Sequence, residues 1–160
     1  MLRKSLASSL VVFQSAAAFA LAGSMVSYPS GTETVSGYLA APEGSGKKPA
    51  VVVIHEWWGL NDFARGKADG FAKQGSVAPA IDLYRGRGAP HAEVAHELMR
   101  GLTEDRALRD LKAAVAYLRT RPDVDAARIA SVGWCMGGGW SLNIAVAEPS
   151  LAGAAIYYGH

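Results

Sequence analysis

Apolar residues in this chain fall into short unbroken runs, and these alternate with longer stretches in which apolar positions recur every three or four residues. Ala50-Val51-Val52-Val53-Ile54, following Pro49, offers no polar position to face water, which predicts a strand buried on both faces of a parallel sheet and near its centre. Val77–Leu83, Ile129–Trp134 and Leu151–Tyr158 predict three more strands of the same kind. Helices are predicted between them. One covers Phe63–Lys73, capped by Asn61 or Asp62 and ended by Gly75; a second covers His91–Arg100. A third covers Thr103–Arg119, where Leu108, Leu111, Val115 and Leu118 share a face, Glu104 and Asp105 suit the first turn, and Pro122 forces a stop. A fourth covers Gly138–Ala147. Ahead of them, Tyr28–Pro42 predicts two short strands or a hairpin at the polar edge of the sheet, closed by the turn-rich Glu43–Lys48. Tyr84–Gly88 reads as a turn out into solvent. The alternation predicts an α/β fold, a mostly parallel sheet with helices on both faces.

Composition supports one domain: 160 residues, half of them hydrophobic, can bury a core. The first 24 residues stand apart. Arg3 and Lys4 precede an uncharged stretch, Ser5–Met25, rich in Ala, Leu and Val, with the small-x-small sites Ala18-Phe19-Ala20 and Ala20-Leu21-Ala22. This reads as a secretory signal peptide, residues 1–24, ahead of a domain at 25–160, and places the protein outside the cytoplasm, periplasmic or secreted. A retained membrane anchor fits less well, because Ser8, Ser9, Gln14 and Ser15 dilute the apolar stretch. No stable membrane insertion is expected after cleavage. Without residues 1–24 the remaining basic residues equal the 14 acidic ones, and no Lys/Arg stripe offers a footprint for nucleic acid. The single cysteine excludes an internal disulfide and any multi-cysteine metal site.

That cysteine carries the candidate chemistry. Arg128–Trp134 runs as a strand into Gly133-Trp134-Cys135-Met136-Gly137 and then a helix, the pattern of a nucleophile elbow. The turn is so tight that positions two before and two after the central residue must be nearly side-chain-free, as Gly133 and Gly137 are. The thiol then stands at the top of the sheet and at a helix N-terminus, which favours an anion there. Acyl transfer also needs donors for an oxyanion. In this architecture they are the N–H just after the nucleophile and one just after the central strand, here Met136 and Trp57.

The loop His55-Glu56-Trp57-Trp58-Gly59-Leu60, with Asp82-Leu83-Tyr84 and Gly133-Trp134-Cys135-Met136-Gly137-Gly138, closely resembles the dienelactone hydrolase family of α/β-hydrolases. The likeness runs from Tyr28 to His160. It implies hydrolysis of a small-molecule ester or lactone through an acyl-thiol intermediate, without metal or organic cofactor. Cys135 would be the nucleophile, and Glu56 would contact the resting thiol and help activate it. Arg85 and Arg87 lie where family members hold a substrate carboxylate, although a solvated loop explains either equally well. One departure is Ile81 directly before Asp82-Leu83-Tyr84, where the family has proline; here Pro79 stands earlier.

Only 25 residues follow Cys135, and no aspartate and histidine match the rest of the family's triad. His160 matches a linker position, not the catalytic base. The expectation is an α/β-hydrolase fold lacking its last strands and C-terminal helix, impaired as a catalyst, with Leu151–Tyr158 an exposed edge open to self-association. The alternative is a non-catalytic homologue that acts as a binding or interaction module. Other motifs fail. His55-Glu56-Trp57-Trp58-Gly59 lacks a second histidine for zinc, His91 and His96 do not share a helix face, and Gly44–Pro49 is no phosphate loop. The four tryptophans read as core and pocket wall.

Overall fold

A computed structural model describes residues 23–159. The elements are β1 (Ser24–Ser30), β2 (Glu33–Ala40), β3 (Lys48–Ile54), α1 (Asp62–Lys73), β4 (Ala78–Ile81), α2 (Ala92–Arg100), α3 (Glu104–Thr120), β5 (Val124–Trp134), α4 (Met136–Ala147) and β6 (Gly153–Tyr157). They build one sheet in the order β1-β2-β4-β3-β5-β6. β4, β3, β5 and β6 run parallel, while β2 runs antiparallel to both β1 and β4. The expected hairpin is therefore real, and Gly31, at φ 63°, supplies the left-handed turn between its strands. The signal peptide reading, up to residue 22, and His160 lie outside the described residues.

Alternation along the central strands decides which helix covers which face. From β3, Ala50, Val52 and Ile54 point to one side, where they pack with Leu111, Val115 and Leu118 of α3 and Ile144 of α4. Val53 points to the other side, with Ala80 of β4 and Val132 of β5, against Ala64, Ala68 and Ala72 of α1. Those alanines recur every four residues, so α1 presents a stripe of methyl groups and lies close on the sheet. Its start is capped by the Asn61 side chain, which accepts from the Ala64 N–H at 3.2 Å. Gly75, at φ 93°, turns the chain away after its end.

Two predicted boundaries move for local reasons. β4 stops at Ile81 instead of reaching Leu83, because the buried Asp82 carboxylate accepts from the N–H groups of Tyr84 (3.1 Å) and Gly86 (2.5 Å) and folds the chain into a turn. That turn does not simply leave for solvent, as the glycines and arginines suggested: Tyr84 is buried, and Arg85 is tied into the body of the protein. β5 begins at Val124, five residues early, where Lys48 pairs with it. β6 lies at the sheet edge with all of its residues exposed. Among the described residues, no helix is long and apolar enough to cross a membrane.

Candidate active site

The turn between β5 and α4 holds Cys135 at φ 53° and ψ −123°, a region L-residues rarely occupy. Its neighbours show why. A Cβ on Gly133 would overlap the Gly137 carbonyl, and one on Gly137 would overlap the Ile54 carbonyl and lie 2.5 Å from that of His55. The helix start is thus pressed directly onto the carboxyl end of β3, which only glycine permits. The turn is pinned by the Cys135 N–H, which donates to the Tyr157 carbonyl at 3.0 Å, and by the Cys135 carbonyl, which accepts from Gly138 at 2.9 Å. The thiol is part-exposed and free. It borders a cavity of about 280 Å³ together with Met99, Met136, Gly139, Trp140 and Asn143. Thioether and indole groups dominate that lining.

The loop after β3 lies beside this turn. Among the described residues, neither the Trp57 nor the Met136 backbone N–H donates to another backbone group, which leaves both as free donors at the carboxyl end of the sheet. His55 is buried to 1% exposure, and its Nδ1 lies 2.5 Å from the Glu56 carbonyl. The Leu83 N–H donates to its Nε2 at 3.2 Å, so the ring proton sits on Nδ1 and the imidazole is neutral. Burial holds its pKa below the usual histidine value.

Glu56 is placed on the same rim. No hydrogen bond joins it to the Cys135 thiol; its Oε1 accepts from the Tyr158 hydroxyl at 3.2 Å instead. Tyr158, at φ 41°, is turned so that its ring reaches across from the end of β6. On the other side, the Tyr84 hydroxyl donates to the Met136 sulfur at 3.2 Å. Burial and then the nearby Cys135 push the Tyr84 pKa up to about 12, so it remains a donor at neutral pH. Tyr84 stands in one of the family-like strings, but no role could be read from sequence for either tyrosine, because each gains its partner only from a remote part of the chain. Trp57 packs edge-on against both Trp58 and His96, and Trp140 walls the cavity, whereas Trp134 is buried between Phe63 and Tyr157.

The two arginines lie away from the cavity at Cys135. The Arg85 guanidinium is spent on carboxylates of the protein itself: Nη2 donates to Asp110 Oδ2 at 3.0 Å and Nη1 to Glu33 Oε1 at 2.5 Å. Asp110 is fully buried and also accepts from the Ser30 hydroxyl at 2.6 Å, and Arg109 joins Glu33. This network fastens the β4 turn to α3 and the β1–β2 hairpin. Arg87 remains exposed at its side chain, while its carbonyl backs onto Gly59. Both arginines line a separate cavity of about 260 Å³ with Tyr84, Glu97 and Arg106, not the one beside Cys135. The fork that suited a substrate carboxylate has already found its partners inside the fold.

A mostly parallel sheet with helices on both faces, carrying a strained turn between β5 and α4, defines an α/β-hydrolase fold. The chain belongs to the dienelactone hydrolase family, whose sequence model matches residues 35–160. It is 33% identical over 144 residues to a Synechocystis protein named as a carboxymethylenebutenolidase, covering 84% of this chain and 58% of that one. It is 34% identical over 125 residues to a Bradyrhizobium protein named as a 2-oxo-3-(5-oxofuran-2-ylidene)propanoate lactonase, covering 76% and 50%. Among solved structures, a dienelactone hydrolase-like promiscuous phosphotriesterase from metagenomic libraries superposes with a TM-score of 0.79 at 29% identity, over 88% of this chain and 60% of that one. The chain thus spans between half and three-fifths of the length of these relatives.

Proposed function

We propose that this protein hydrolyses a small ester or lactone through Cys135, with the Trp57 and Met136 amides as the oxyanion hole. The observation that carries the reading is the Cys135 turn: a free thiol at φ 53°, bordering a cavity, beside two unpartnered N–H groups. A strained residue costs of order 1–3 kcal/mol, and here none of that cost is recovered by a hydrogen bond to its side chain. Names carried by the relatives point to the same bond type.

In the proposed reaction the Cys135 sulfur attacks the carbonyl carbon, a C–S bond forms, and the carbonyl oxygen takes the negative charge between the two amides. The C–O bond to the leaving group then breaks, and the alcohol departs with a proton. Water hydrolyses the resulting thioester and restores the thiol. Glu56, whose Oε1 accepts from the Tyr158 hydroxyl, would interact with the thiol when substrate displaces that hydrogen bond. The base is a separate matter: His55 has both nitrogens engaged, and neither His91 nor His96 lines the cavity at Cys135.

The test is acylation by p-nitrophenyl acetate. Release of p-nitrophenolate with formation of a Cys135 thioester, seen by intact-mass measurement and lost in Cys135→Ser, supports the reading. Acylation no faster than that of a free thiol in the unfolded chain removes it. We also propose that residues 1–24 are a cleaved export signal, on the strength of their charge and small-residue pattern. N-terminal sequencing of the protein recovered from an expressing cell's periplasm or medium checks this; an intact Met1 in the cytoplasm contradicts it.

A further inference from the structure

Buried histidines with two engaged nitrogens ordinarily stabilise a fold and nothing more, but the partner of His55 is unusual. The carbonyl it binds belongs to Glu56, and the nitrogen of that same peptide unit is the Trp57 N–H. In a trans peptide the C=O and N–H point in opposite directions within one plane. Whatever fixes the Glu56 carbonyl therefore fixes where the Trp57 N–H points.

We propose that His55 is a positioning residue for ester hydrolysis, its Nδ1–H holding the Glu56–Trp57 peptide so that the Trp57 amide faces the Cys135 turn. The inference rests on the hydrolase reading above. The Glu56 carbonyl accepts from His55 Nδ1 at 2.5 Å and from the Gly59 N–H at 3.3 Å, so it is gripped from two sides. The imidazole itself cannot rotate. Nε2 accepts from Leu83 at 3.2 Å, the ring packs edge-on against Tyr84 with centroids 4.9 Å apart, and the residue is 1% exposed. Leu83 and Tyr84 are in turn set by the buried Asp82, whose Oδ1 accepts from the Tyr84 N–H at 3.1 Å. A chain of contacts thus runs from the β4 turn through His55 to the amide. A Cβ on Gly137 would lie 2.5 Å from the His55 carbonyl, so the preceding peptide unit, His55–Glu56, packs against the Cys135 turn. A donor aimed wrongly loses most of its value, because an oxyanion hole acts only through preorganised directions.

Two reactions of the same thiol separate this role from mere stability. Acylation by p-nitrophenyl acetate passes through an oxyanion; alkylation by iodoacetamide does not. His55→Phe and His55→Met both remove the donor to Glu56, whereas His55→Gln keeps a donor and an acceptor. In the apolar variants acylation falls about thirtyfold, alkylation stays within about twofold, and His55→Gln retains most of the acylation rate. Parallel loss of both reactions in a folded variant, or an unchanged acylation rate, overturns the proposal. A measurement on the unaltered protein guards against variants that fail to fold: nitrogen NMR of the imidazole is expected to find the proton on Nδ1 and Nε2 bare at neutral pH. The opposite tautomer overturns the proposal. Wild-type protein that is alkylated but never acylated faster than a free thiol instead removes the hydrolase reading, and this inference with it.

Discussion

Three turns at the carboxyl ends of the parallel strands carry a non-glycine residue in the left-handed region, and two of them contrast: Arg85 after β4 at φ 54° and Cys135 after β5 at φ 53°. At Arg85 the side chain repays the backbone, since Asp110 and Glu33 both bind its guanidinium. At Cys135 no side-chain hydrogen bond does so, and the thiol borders a cavity. A shared positive φ therefore has opposite meanings. Where every polar atom has a partner the turn is architecture; where a nucleophile stands without one the turn is held ready by the rest of the fold.

The comparison breaks most sharply at the two side chains themselves. Cys135→Ala is expected to lower acylation by about a thousandfold or more, whereas Arg85→Gln leaves the acylation rate of the folded protein unchanged and lowers its melting temperature. Equal kinetic losses in the two variants would return Arg85 to the substrate site. Gly137→Ala drives a methyl group into the Ile54 carbonyl, and an overlap with backbone should cost about 3 kcal/mol in urea unfolding. Asp110→Ala strips the buried partner from Arg85 and Ser30; because Arg85 is partly exposed, about 2 kcal/mol is expected. Acid sharpens the link between the turns. His55 has a lowered pKa, so as pH falls below its ordinary value near 6.5 the unfolded chain takes up a proton that the folded one refuses. Stability is full above that pH and declines below it, by at most about 1.4 kcal/mol per unit, with Asp82 opposing the shift. Thermal melting between pH 7.5 and 5.5, compared with His55→Gln, reads this difference. The smallest effect has the opposite sign: Gly66→Ala, in open space on α1, should add about 0.5–1 kcal/mol.

The central strands were legible in the sequence because their residues face only protein. Ala50–Ile54 could be assigned as central because no side chain there could tolerate water, and Gly133 and Gly137 revealed the strained turn because steric overlap leaves no other residue type. Short-range chemistry of that kind is written locally. The fate of Arg85 was not, since Asp110 reads as one more charge on a helix until α3 folds back against the hairpin. His55 was equally silent: its partner Leu83 is 28 residues away, and nothing near His55 distinguishes a ring that aims an amide from one that fills space. Tyr158 looked like the tail of an apolar strand, and only the crossing from β6 to Glu56 gives its hydroxyl a task.

The Cys135 N–H is anchored on the Tyr157 carbonyl of β6, which pairs with β5 from Ala130 to Trp134. The reactive turn is therefore only as steady as that pairing: whenever β6 separates from β5, Cys135 loses the bond that pins it and its backbone can relax. Amide exchange at Cys135 should consequently keep pace with the residues of β6.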